Sequence, residues 1–137
     1  MNSNTSNSEE QFYTRLGQLL AQRHPQLAVR PPTSAEYYEG PTPDLVVSNT
    51  RTGAALGMEL RVGRQAEYIP LGLLPHVRAV RKRFRSGLPR PGDVVVVTTG
   101  LIPRQVTEVF DKDGIEYHQV SSPEEAVERL DPRLQQL

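Results

Sequence analysis

The 137-residue chain has no cysteine. That rules out a disulfide framework and a thiolate zinc site. No apolar run comes near the roughly 20 residues needed to span a membrane. The opening stretch "MNSNTSNSEE" lacks the charged-then-apolar order of a secretory signal, so a cytoplasmic protein is the simplest expectation. There is no internal repeat and no convincing linker. At this length the chain is expected to form one domain with a real core, residues 8–137, behind a frayed Asn/Ser/Thr-rich tail at 1–7.

Net charge is also missing, because 16 Lys and Arg balance 16 Asp and Glu. The balance hides a segregation. Residues 61–92 carry eight basic side chains (Arg61, Arg64, Arg78, Arg81, Lys82, Arg83, Arg85, Arg90) against Glu67 alone. The flanking segments are net acidic. A local positive field can therefore exist on a neutral chain, and such fields attract phosphates or acidic partners. The plain alternative is a solvated basic face.

The pattern along the chain predicts alternating helices and strands. Ser8 suits a helix cap, with Glu9 and Glu10 in the first turn and Phe12, Leu16, Leu19 and Leu20 at helical spacing. Pro25 stops that helix. "QLAVR" is extended, "PPTSAEYYEGPTP" is a loop, and "DLVVSN" and "AALGMELRVG" read as a hairpin across "TRTG". A second helix is expected over about 71–86. Leu73, Val77, Val80 and Phe84 form one stripe of it, and Arg78, Arg81, Lys82 and Arg85 form another. Pro75 is tolerable only in its first turn. "DVVVVTT" does not alternate, which marks a strand buried on both faces. Pro103 opens a third helix that Gly114 ends. "IEYHQV" alternates as a strand. Ser122, Pro123 and Glu125 form the start of a last helix. The order α-β-β-β-α-β-α-β-α predicts an α/β fold with a mixed central sheet and helices on its faces.

One constellation carries chemistry. Asp44 opens one strand of the hairpin, and Glu59 lies in the other. Across a hairpin the two can sit side by side. Paired carboxylates repel unless a cation stands between them. Arg61, two residues beyond Glu59, projects from the same sheet face. Two carboxylates suit magnesium, which takes hard oxygen ligands and activates water against phosphodiesters.

"PD" followed by a hairpin ending in "ELR" resembles the PD-(D/E)xK nuclease superfamily, which places an aspartate and an acid-x-lysine pair on adjoining strands. "LAVRPP" and the loop into "PDLVV" are similar to archaeal Holliday-junction resolvases. Residues 93–130 are similar to the end of Mrr-type restriction endonuclease domains. The resemblance covers roughly residues 8 to 131 and implies a restriction-endonuclease-like fold. It implies a DNA endonuclease dependent on Mg2+ or Mn2+, with Asp44 and Glu59 as metal ligands, alone or with the Leu60 carbonyl. Arg61 would stabilise the phosphate, and Glu9 would serve as a further acid from the first helix. The basic stripe Arg78, Arg81, Lys82 and Arg85 would hold the DNA backbone. Many relatives pair as homodimers to cut two strands. The sequence departs from the pattern at Arg61, where the superfamily has lysine. Arginine stays protonated and cannot act as a base. An inactive nuclease-fold module that binds DNA or a protein is the alternative, and a small interaction domain for an acidic partner is a third.

Each residue also has a plainer reading. Asp44 can cap a backbone N–H. Glu59 can face solvent beside Arg61 or Arg51. His24, His76 and His118 show no ligand spacing and read as structural or surface groups. Tyr37 and Tyr38 can stack on bases or pack on their own domain.

Overall fold

The computed structural model describes residues 3–34, 38, 40–64, 67–86 and 92–137, with side chains from Ser8 onward. Its elements are α1 (Ser3–Arg23), β1 (Leu27–Arg30), β2 (Leu45–Asn49), β3 (Ala55–Arg61), α2 (Leu73–Ser86), β4 (Asp93–Thr98), α3 (Arg104–Asp113), β5 (Glu116–Gln119) and α4 (Pro123–Leu134). The five strands form one sheet in the order β1-β2-β3-β4-β5. β1 pairs antiparallel with β2, and β2 antiparallel with β3. β3, β4 and β5 are parallel, so α2 and α3 are the crossovers that link them.

Each element follows from its residues. In the β2–β3 turn the Asn49 side chain accepts from the N–H groups of Arg51 and Thr52, and Gly53 supplies a φ of 78°. The valines of β4 are buried on both faces, as their lack of alternation predicts. Gly114 ends α3 in the left-handed conformation, with φ 71°. Ser122 caps α4 by accepting from the Glu125 N–H. The Glu125 carboxylate reaches back to the N–H of Ser121, one residue earlier than a standard capping box. Pro75 falls in the first turn of α2, where its missing N–H costs nothing.

The first helix corrects the expected start. It opens at Ser3, so Ser8 lies inside the helix and not at its start, and the backbone of 3–7 is helical. Once a helix is nucleated, each added residue gains a backbone bond, which outweighs the modest propensity of Ser and Asn.

The sheet divides two cores. On one face α1 and α4 bury Phe12, Leu16, Leu20, Val127, Leu130 and Leu134 against Leu56, Met58, Leu60, Val95 and Val97. On the other, α2 and α3 bury Leu73, Val77, Val106 and Phe110 against Val96. Side chains alternate along a strand, so Glu59 and Arg61, which flank Leu60, face the α2 side. This alternation carries the acid pair into the α2 layer.

Candidate functional site

The site lies at the carboxyl end of β3. Leu45 pairs with Met58, so Asp44 stands opposite Glu59. A glycine makes this approach possible. A Cβ on Gly57 would lie 3.0 Å from Pro43 Cγ and 3.5 Å from Phe84. Without it, Pro43 lies directly over β3 and delivers Asp44 to the strand. Asp44 is then held twice: its N–H donates to the Met58 carbonyl at 2.9 Å, and its Oδ2 accepts from the Leu60 N–H at 2.7 Å.

Glu59 is fully buried, at 0% exposure, which corrects the solvent-facing alternative. Neither carboxyl oxygen has a hydrogen-bond partner. Burial, and then the Asp44 carboxylate, push its pKa up to about 9 against the pull of Arg61. Burial and the neighbouring acid thus favour the neutral form of Glu59. Arg61 curls back over the pair. Its Nη1 lies 3.6 Å from Asp44 Oδ2 and 3.7 Å from Glu59 Oε2, and donates to the Leu60 carbonyl at 2.9 Å. One guanidinium nitrogen thus faces two acids and a carbonyl. The side chain is 33% exposed, so it keeps a path to solvent.

Two site residues escape a reading of the sequence. His76, on the first turns of α2, brings Nε2 to 2.9 Å from Glu59 Oε2, at ion-pair distance but not aligned as a hydrogen bond. Burial, and then Arg61, lower its pKa, which favours the neutral ring. Its position beside Val77, on the edge of the buried stripe, is the only signal the sequence holds. Tyr13 reaches from α1 and donates its hydroxyl to the Leu60 carbonyl at 3.5 Å. Burial and the nearby acids raise its pKa, so it stays a donor. Tyr13, rather than Glu9, is the α1 residue that touches the site. Glu9 stands one turn earlier, partly buried, and its charge reaches Tyr13.

The basic stripe does not border the acid pair. Arg81 donates from Nε and Nη2 to the Asp93 carboxylate at 2.9 and 3.4 Å, and to the carbonyls of Asp113 and Gly114. Arg78 pairs with Asp113 at 3.1 Å, and Arg85 lies 3.9 Å from Asp93. Asp93 is in register with Leu56, five residues before Arg61. At about 3.3 Å per residue, Asp93, which anchors Arg81, sits roughly 16 Å along the sheet from Arg61. Arg81 clamps α2 to β4 and α3, and Lys82 remains exposed. Of the other expectations, His24 pairs with Asp131 and His118 with Glu116, both structural contacts. Tyr38 is 92% exposed, while Tyr37 and Arg90 lie outside the described residues.

Among the described residues no group of three or more His, Cys, Asp and Glu side chains is arranged to hold a metal ion. The donors present are two carboxylates and one carbonyl. Two orphaned oxygens in a buried acid pair are what a hard cation would satisfy, and magnesium commonly needs only one or two carboxylates. The residues therefore fit such an ion, provided Arg61 moves.

No family model and no curated protein sequence matches the chain. Among solved structures, a repair endonuclease from Pyrococcus abyssi is similar in fold, with a TM-score of 0.50 and 13% sequence identity. The match covers 81% of this chain and 47% of that one, so the similar region is less than half of that protein. At this identity the likeness concerns the fold alone. The class defined is a nuclease-like α/β fold with a five-stranded mixed sheet flanked by helices. Among the described residues no helix is long and apolar enough to cross a membrane.

Proposed function

We propose that this domain is a divalent-metal-dependent DNA endonuclease of the PD-(D/E)xK kind, with Asp44 and Glu59 as the ligands of Mg2+ or Mn2+. The observation that carries the reading is Glu59: a fully buried carboxyl whose two oxygens make no hydrogen bond, beside a second acid. An acid pair kept out of water costs several kcal/mol unless a cation compensates it. When bound, the ion supplies Lewis acidity toward the phosphate and lowers the pKa of the attacking water.

The chain's own residues supply the rest. The Leu60 N–H fixes the Asp44 carboxylate. Tyr13 steadies the Leu60 carbonyl from the far side of the sheet. His76 closes the α2 side of Glu59. Arg61 stays cationic, so its role is to neutralise phosphate through paired N–H donors rather than to take a proton. Lys82 and the outer halves of Arg78 and Arg85, each 53% exposed, offer charge to a longer stretch of backbone.

One observation favours a second reading, a nuclease-fold module that binds DNA or a protein without cutting. The Arg61 nitrogen already stands between the acids. The test is incubation of the protein and its Asp44→Ala variant with plasmid and branched DNA in Mg2+ and in Mn2+. Cutting by the wild type alone supports the endonuclease. Salt-sensitive binding without cutting supports the module. Neither binding nor cutting overturns both.

A further inference from the structure

We infer that Arg61 is a displaceable internal counter-cation, which holds the place of the metal ion and leaves it when a nucleic-acid phosphate draws the guanidinium outward. Metal and nucleic acid then load the site as a coupled pair. This rests on the metal-site reading given above.

Three features carry it. First, a single atom, Arg61 Nη1, lies within 3.7 Å of both carboxylates and hydrogen-bonds the Leu60 carbonyl. These are the same three oxygen-bearing groups that fit the cation, so guanidinium and cation cannot use them together. Second, the hold is loose. The distances to both acids exceed hydrogen-bonding range, and the carbonyl bond at 2.9 Å is the one short contact. Third, the way out is open. The side chain is one-third exposed, at the end of its strand, whereas Glu59 beneath it is sealed. A phosphate arriving at the mouth of the site offers the guanidinium a bidentate partner better than either long ion pair. The positive charge of Arg61 then leaves the acids as the positive charge of the metal replaces it. Linkage makes the effect reciprocal: whatever DNA gains for the metal, the metal gains for DNA.

The test is Mn2+ binding by calorimetry and by the electron paramagnetic resonance of free Mn2+, with and without a duplex oligonucleotide. Wild type is compared with Arg61→Gln and Arg61→Met, the second keeping the alkyl stem should the first fold poorly. No turnover is read. Wild type is expected to bind Mn2+ roughly tenfold more tightly with DNA present, a coupling of about 1.4 kcal/mol. Both variants are expected to bind Mn2+ more tightly than wild type without DNA, and to lose most of the coupling. Folded variants that bind Mn2+ no better than wild type overturn the inference while the metal site stands. Tighter Mn2+ binding with the DNA coupling intact overturns the phosphate-driven release. Absence of Mn2+ binding in all three proteins, with and without DNA, overturns the inference and the metal-site reading together.

Discussion

Replacing Glu59 by Gln should stabilise the domain at alkaline pH and leave it nearly unchanged at acid pH. The carboxyl is fully buried without hydrogen bonds, and its pKa rises from 4.5 to about 9 on folding. The folded state therefore keeps a proton that the unfolded chain releases. The stability tied to that proton is complete below about 4.5 and is lost as pH rises toward 9. Each pH unit in this window removes about 1.36 kcal/mol. From pH 5 to pH 8 the ceiling is about 4 kcal/mol, and relaxation around the site lowers it. Glutamine keeps the shape and does not titrate, so the difference between the two proteins isolates this one group. For a domain of this size about 1 kcal/mol moves Tm by roughly 3 °C, so at pH 8 the variant should melt up to about 10 °C higher. The assay is thermal and urea unfolding of both proteins at pH 5, 6.5 and 8 in chelator. Added Mn2+ at pH 8 should then raise the Tm of wild type and leave Glu59→Gln unmoved. Parallel pH curves for the two proteins would refute the argument, because they would mean that Glu59 is ionised and compensated without a metal.

The other predictions concern the frame and the chemistry. Arg81→Ala removes a guanidinium whose side chain is 12% exposed and which bonds one carboxylate and two carbonyls, leaving Asp93 with the longer ion-pair contact to Arg85 at 3.9 Å. Urea unfolding should register a loss of about 2 to 4 kcal/mol, and a loss below about 1 kcal/mol would return Arg81 to the pool of solvated surface charges. Gly92→Ala places a Cβ 2.6 Å from the Ala55 carbonyl and from Phe84 Cε1. That overpacking should cost about 1 to 3 kcal/mol in the same measurement, and a neutral result would mean that β4 can shift at its start. Asp44→Ala with Glu59→Ala should abolish metal-dependent cleavage while DNA binding in filter or anisotropy assays persists or strengthens, since two groups that repel phosphate are gone. Undiminished cutting by that double variant would remove both acids from the mechanism.

Much of this protein was legible in one dimension because its causes are local. Helical spacing, the four-valine run, the Gly114 cap and the Ser122 start each act within a few residues, and apart from the start of α1 the elements stand where these patterns put them. The alternation of β3 likewise placed Glu59 and Arg61 on one face, and the hairpin brought Asp44 opposite. What the sequence could not decide was depth and partnership. A strand pattern says which face a side chain takes but not what covers it, so Glu59 passed equally for a surface charge. The cover is α2, whose His76 reaches Glu59 only once the crossover has folded back. The ion-pair partners of the cationic stripe were hidden for the same reason. Its spacing on the helix was real, but Asp93 and Asp113, which pair with Arg81 and Arg78, come from other elements and reach them through packing alone. Periodicity is a property of the chain. Burial and ion pairing are properties of the space between its elements, and that space exists only in the folded molecule.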